Sequence, residues 1–418
     1  MTRSAGGSIH GRGLWVRAPW LFCPRRRVYD HTTALRCVCR APSRAGGGAG
    51  LQLRSVTFND FRSFRRERSF TFVEPLTDGG RDLTAIAGTN GTGKTTILET
   101  VEALLAFATD PETPRELVRE AWDSGFVALE VDLSAEDLRA SEDEEARGGR
   151  LTIAVGRRDK APDNVLNATS LFCRLVQRGT AGRPYERLKT PLALRLRKAV
   201  SAMQQGHAPL RGGLIYLPAD RRLTPTEGGP IEPPPESRQW SFRLTPPLQW
   251  SGHLEQMLVW RNYLDLEHAA RTHGQLAQFA DELRRLLGPR RAIKVTEGRA
   301  FVTAGWANGA GLTDTGAWTP IARLPSGEQQ ILLLVGEVLR RARPGVILMI
   351  DEPEASLHPS LQRVLVSYLR RFASNWQAQV VMSTHSLEIV RTLAEPEQIN
   401  LDQLEPTVAA IGGPTGGD

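Results

Sequence analysis

Lysine is scarce in this chain: five Lys stand beside 48 Arg in 418 residues. A lysine inside a recognisable motif is therefore hard to attribute to composition. Cysteine is scarce too, with four in all, and Cys23, Cys37 and Cys39 fall within the first 50 residues. Cys37 and Cys39 have no partner pair at zinc-finger spacing, so neither a disulfide framework nor a zinc finger is expected. Long apolar runs are missing. The best, from Ile331 to Val335, is cut by Gly336 and Glu337, far short of the ~18 residues a membrane span needs. Net charge is missing from the body of the chain. Nine Arg against Asp30 give residues 1–50 a net +8, whereas residues 51–418 carry 44 basic and 45 acidic residues. The overall +7 is thus no global field for nucleic acid, and any such contact would come from a local patch. The apolar patch at 14–23 is broken by Arg17 and Pro19, a poor signal peptide. Few cysteines and no export signal point to the cytoplasm, away from membranes.

Residues 1–50 read as a disordered basic extension, or as translation from upstream of the true start. An Arg-rich, acid-poor start would also suit a transit peptide. "APSRAGGGAG" (41–50) reads as a linker. Beyond it, 51–73 alternates apolar and polar residues in two runs, as two antiparallel strands would. Residues 83–108 read as strand, Gly-rich loop and helix. Segments 126–133 and 150–157 read as strands around an acidic loop, and 212–222 as a buried strand entering a polar turn. Eight of the 27 prolines lie in 218–247, an irregular surface segment. Residues 253–287 have helical periodicity without sustained heptads. From Ile321 onward the pattern is helix 327–342, strand 346–350, helix 360–373 and strand 379–384.

"GTNGTGKTT" (88–96) fits G-x-x-x-x-G-K-[ST] between a strand and a helix, the context that motif requires. Gly88, Gly91 and Gly93 let the backbone turn its N–H groups of Thr89, Asn90, Thr92 and neighbours toward phosphate oxygens. The helix N-terminus adds its positive dipole end. Lys94 can reach the β- and γ-phosphates, Thr95 offers a hydroxyl to Mg²⁺, and Thr96 follows in the first turn. By its chemistry this is a phosphate-binding loop.

"VILMIDEPEASLHP" (346–359) places two acids after an apolar strand, where parallel sheets present their ligands. Asp351 is expected to hold Mg²⁺ and Glu352 to act as general base toward water. "QVVMSTHS" (379–386) ends a second strand at His385. That histidine is either structural or a sensor of the γ-phosphate, and its convergence with the other two strand ends favours the sensor. "LPSGEQQ" (324–330) has two readings as well. Ser326-x-x-Gln329 fits a helix capping box, and Ser326 with the following N–H groups also fits an anion site.

In this order the motifs resemble the ABC-type ATPases of the SMC/RecF/OLD-like branch, over residues 51–110 and 320–400. "NDFRSF" (59–64) matches the branch's opening, "SGEQQ" its signature and "EPEASLHP" its Walker B and D-loop. Transporter ATPases differ at both places, closer to LSGGQ and DEPT. The resemblance implies an α/β fold: a P-loop NTPase with an ABC-type head, a mixed sheet flanked by helices, an antiparallel β-subdomain and a helical insertion. The halves of the head would be 51–110 and 320–418, with 111–319 inserted between them. It implies that Asn59 and Arg62 contact ATP. It implies a homodimer, or a higher oligomer, closed around ATP, in which Ser326, Gly327, Glu328 and Gln330 serve the partner's nucleotide and Ser356, Leu357 and His358 form the D-loop crossing. Gln177 is the nearest candidate for the family's Q-loop glutamine. Arg221 and Arg222 in "YLPADRR" would reach a phosphate or form a surface salt bridge.

With 33 residues after His385, no nuclease domain is expected there. The leading expectation is an ATPase subunit of an anti-phage or restriction-type system, driving a separate effector such as a nuclease. A RecF-like DNA-repair ATPase that binds DNA directly, a transporter motor and a non-hydrolysing ATP switch are the alternatives. A chain beginning at Leu51 should keep full ATP turnover, measured as phosphate release per folded molecule. Lost activity would show that the basic extension is needed.

Overall fold

The computed structural model describes residues 50–141, 147–177, 184–221, 238–244, 253–267, 274–288, 291–304, 307–308, 311–312 and 318–404. The expectations for the basic extension, the tip of the acidic loop, Arg222 and most of the Pro-rich segment lie outside the described residues.

Strands Leu83–Ala87, Ile347–Asp351 and Gln379–Thr384 are buried at every position. Such runs suit a sheet covered on both faces. They form the middle of a six-stranded sheet with the order 398–400, 83–87, 379–384, 347–351, 214–217, 241–243. Every neighbouring pair in it is parallel. The second six-stranded sheet runs Arg68–Thr71, Gln52–Asn59, Phe126–Leu133, Gly149–Arg157, Leu171–Val176, Tyr185–Arg187. Its pairs are antiparallel except for a parallel contact between Gly149–Arg157 and Leu171–Val176. The expected α/β head with its β-subdomain is present: the parallel sheet carries the motifs, and the largely antiparallel sheet is the subdomain.

Helix Lys94–Thr109 packs against strands of both sheets. Its buried residues occupy most of its circumference, as a helix sandwiched between two layers requires. Strand alternation then makes two cores. Ile347, Met349 and Val381 face the first, with Ile97, Leu98 and Val101. Leu348, Ile350, Val380 and Met382 face the second, with Leu332, Leu365 and Leu369.

The helical region expected at 253–287 is two helices, His253–Glu267 and Gln275–Leu287. Both pack on Ser326–Arg341. Gly336 makes that approach feasible, because a Cβ there would sit 2.3 Å from Leu254 Cδ1. Strands 214–217 and 241–243, from within 111–319, extend the parallel sheet beside the Asp351 strand.

One side chain joins the two sheets. Gln379, 4% exposed, begins the strand that ends at Thr384. Its Nε2 donates to Leu53 O (3.1 Å) and Phe72 O (3.0 Å), and its Oε1 accepts from Leu53 N (2.7 Å). The register of the 52–59 strand shifts between Leu53 and Ser55, and Phe72 lies just past strand Arg68–Thr71, so the amide bonds backbone groups where the pairing is irregular. A buried polar group left unpaired costs about 1–3 kcal/mol. Phe72 O keeps its bond from Arg81 N (2.9 Å), so Gln379→Leu takes this partner from Leu53 N and Leu53 O and should destabilise the chain by about 2–4 kcal/mol, read as a lower urea midpoint. A midpoint equal to the wild type would mean the two sheets do not depend on this amide.

Candidate active site

Parallel pairing puts three motif-bearing strands in one register. Ala87 pairs with Thr384 and Asp351 with Ser383. The phosphate loop, the acid pair and the histidine therefore leave the sheet at the same edge, as a parallel sheet's ligand-bearing edge should. The three motifs expected to converge do so.

The loop has the backbone its glycines imply. Gly91 has φ 84° and Gly93 φ 100°, in the left-handed region that favours glycine. A Cβ on Gly93 would lie 2.7 Å from Phe64 Cζ, so that glycine also makes room for the ring beneath it. Lys94 is buried and its Nζ donates to Gly88 O and Thr89 O, 2.8 Å each. Thr92 Oγ1 donates to Thr89 O at 2.9 Å. Asn90 and Thr95 are exposed, and Thr96 is buried behind them. Thr89 is held from outside the motif: its N–H and hydroxyl donate to the Asp402 carboxylate at 2.9–3.1 Å.

Asp351 is bound on both carboxylate oxygens. Thr95 Oγ1 donates to Oδ2 at 2.9 Å, and Ser383 Oγ donates to Oδ1. Burial pushes the Asp351 carboxyl above its ordinary range, and the two hydroxyls oppose that shift. Glu352 follows with φ 46°, a left-handed conformation that costs a non-glycine residue roughly 1–2 kcal/mol. Its N–H is fixed by Ser383 O (3.2 Å) and Ser383 Oγ (3.1 Å). Its Oε1 lies 3.7 Å from His385 Nδ1.

Three contributors were not singled out from sequence. Ser383 lies within "QVVMSTHS" (379–386), where a hydroxyl at a strand end beside an acid is a readable signal. Glu354, 5% exposed, accepts from Thr384 Oγ1 (2.7 Å) and His385 N (2.8 Å) and lies 3.3 Å from His385 Nδ1. It ties the histidine turn to the acid turn. Ser63 donates to Gly91 O at 3.2 Å, with Phe64 beside it under the loop.

Asn59 and Arg62, from the same opening segment, are placed elsewhere. Asn59 Nδ2 donates to Lys160 O (2.9 Å). The Arg62 guanidinium is engaged by Glu99 (3.0 Å) and Glu120 (2.7 Å). In this arrangement "NDFRSF" reaches the loop through Ser63 and Phe64. Gln177 is exposed after Leu171–Val176 in the other sheet, away from the parallel sheet's ligand edge.

The capping reading of Ser326 does not match the geometry. Pro325 is the N-cap residue of helix Ser326–Arg341, and no side chain caps it. Gln329 turns back to donate to Ala322 O (3.0 Å) and Leu324 O (2.9 Å). Ser326 is exposed. Gly327 lies against the D-loop of the same chain, where a Cβ would meet Ser356 O at 2.7 Å. Glu328 pairs with Arg291. In the D-loop itself, Ser356 is exposed with φ 64°, Leu357 is buried in the second core, and His358 Nδ1 accepts from Ser360 N (3.3 Å) to cap the next helix.

Arg221 is neither a phosphate ligand nor a surface ion pair. It is 2% exposed. Its Nη1 donates to Pro218 O (2.7 Å) and Asp351 O (2.5 Å), and its Nη2 to Glu352 O (2.9 Å). Burial pulls it down to about 10, while Asp351, Glu354 and Glu352 pull it back up, so the buried cation persists at neutral pH.

The residues present fit Mg²⁺ bound with a nucleotide. Thr95 Oγ1 and Asp351 Oδ2 already converge as two hard oxygens at the foot of the loop. Among the described residues no cluster of three His, Cys, Asp or Glu forms a metal site. Phosphate oxygens and water would supply the remaining ligands, as Mg²⁺ prefers.

Two family models match the chain: an "AAA domain" over residues 55–154 and an "AAA ATPase domain" over residues 265–390. A curated relative, the thiamine import ATP-binding protein ThiQ of Cereibacter sphaeroides, is 33% identical over 132 residues. That match covers 31% of this chain and 55% of the relative, so the chain spans about half of that protein's length. Among solved structures, an SMC head bound to the C-winged helix domain of ScpA aligns at TM-score 0.43 and 13% identity, over 82% of this chain and 91% of that one. The SMC head domain from Thermotoga maritima aligns at TM-score 0.38 and 13% identity, over 82% and 92%. Its motif order, its strand-end geometry and the two domain matches are those of a P-loop ATPase, similar to the AAA/ABC type over residues 55–154 and 265–390.

Proposed function

We propose that this chain hydrolyses Mg²⁺-bound ATP at a site completed by a second copy, in the manner of the SMC/RecF/OLD-like branch. The observation that carries the proposal is the pairing of a complete phosphate site with an uncapped, exposed Ser326 at a separate helix N-terminus. The first binds a triphosphate. The second is an anion site with no phosphate loop of its own.

In the closed pair, loop amides and Lys94 of one copy hold the β- and γ-phosphates. Thr95 and Asp351 would hold Mg²⁺, which when bound would neutralise charge on the phosphate oxygens. Glu352 accepts the proton of the attacking water. His385, turned by Glu354, stands beside Glu352 where the γ-phosphate end of the nucleotide would lie. Ser326 and Gly327 of the other copy close over that end. Positioning and charge stabilisation supply the rate, as phosphoryl transfer requires.

Biologically, the reading is a cytoplasmic ATPase subunit that drives a separate effector in a defence-type system. The near-neutral body of the chain supports a protein effector over a DNA clamp of its own. A transporter motor is the second reading, favoured by the thiamine-import relative. The "SGEQQ" and "DEPEASLHP" motifs weigh against it. Among the described residues no helix is long and apolar enough to cross a membrane.

Glu352→Gln should lower turnover by about 10²-fold or more and accumulate an ATP-dependent dimer, read by phosphate release and light scattering. A monomer with normal turnover would place the general base elsewhere. Ser326→Arg should bind ATP within a few-fold of wild type yet neither dimerise nor hydrolyse. Normal turnover per folded molecule would return Ser326 to a purely local role.

A further inference from the structure

Gln330 was expected to serve a partner's nucleotide, but its side chain is engaged within its own chain. Its Nε2 donates to Arg221 O at 2.7 Å, and its Oε1 accepts from Arg221 Nε at 3.3 Å. The same guanidinium donates to the carbonyls of Asp351 and Glu352. Three segments far apart in sequence thus meet on one buried cation: the turn after strand Leu214–Leu217, the acid turn and the signature helix.

The geometry gives this junction a direction. Ser326 and Gln330 are four residues apart on one helix, so they share a face. Glu352 has a left-handed backbone, and its carbonyl accepts from Arg221 Nη2 (2.9 Å) and from Ala355 N (3.1 Å). A shift of the helix when an anion docks at Ser326 would move Gln330, then Arg221, then the backbone that aims the Glu352 carboxylate. A rigid planar fork transmits such a shift better than a flexible ammonium, because its donors keep a fixed mutual geometry.

We infer that Arg221 and Gln330 are positioning residues that couple the signature helix to the general base of the same subunit. The inference rests on the ATPase reading above. It makes Gln330 a within-chain device, whereas Ser326 and Gly327 act across the interface.

The test is a double-mutant cycle in the full chain, with ATP turnover measured as kcat and KM and folding followed by circular dichroism. Gln330→Ala and Arg221→Lys should each lower kcat by roughly tenfold, with KM within about twofold of wild type. The double variant should be no slower than the slower single one, since both cut the same link. Multiplying effects would overturn the coupling. So would a KM that rises in step with the fall in kcat, or a kcat unchanged by Gln330→Ala. If Arg221→Lys does not fold, Gln330→Ala together with Gln330→Glu decides. Glutamate can still accept from Arg221 Nε, so it should recover part of the kcat lost in alanine, and no recovery would overturn the link. A wild-type chain without ATP turnover would overturn the ATPase reading beneath the inference, and the inference with it.

Discussion

The site depends on one carboxylate shared between two hydroxyls. Asp351 accepts from Thr95 on the phosphate-loop helix and from Ser383 on the neighbouring strand. That junction fixes the distance between loop and acid turn, and Ser383 also orients the N–H of Glu352. A parallel sheet sets the strand ends level, but register alone does not set side-chain geometry to fractions of an ångström. The shared carboxylate supplies that second constraint. Its buried setting makes the bonds stronger than they would be in water, and the carboxylate costlier to leave unpaired.

Around this junction the chain places buried polar groups that a stable core would not need by itself. Arg221 is held by carbonyls and Gln330, Glu354 braces the histidine turn, and Glu352 sits in an unfavourable backbone region. Strain and buried charge of this kind cluster where a fold serves a function, since the surrounding packing must over-determine them. Here two apolar cores, one on each face of the parallel sheet, do so.

What was legible in the sequence is what local chemistry encodes. The Gly-rich turn with Lys94, the apolar run into Asp351 and Glu352, and the run into His385 each announce their strand or helix by spacing, and their bounds agree with the structure to within about two residues. Helix Ser326–Arg341 was legible too, but not that Pro325 begins it and leaves Ser326 uncapped. Arg221, Glu354 and Gln379 were not legible as structural centres. Arg221 meets Asp351 and Gln379 meets Leu53 across 130 and 326 residues of chain, and no periodicity records a contact that long. Asn59 and Arg62 went the other way. The motif match was real, yet its contact with the loop falls on Ser63 and Phe64. A motif fixes a segment, while packing chooses which of its side chains touch.

The central claim is that each active site combines a phosphate loop from one copy with a signature from another. Mixing two variants tests it most directly, one carrying Lys94→Ala and the other Ser326→Arg. Neither should turn over ATP alone. Their mixed dimer holds one site with both halves intact, so the account predicts that mixing restores a substantial fraction of wild-type turnover. Turnover that stays at the sum of the two separate variants, with mixed dimers present, would contradict it.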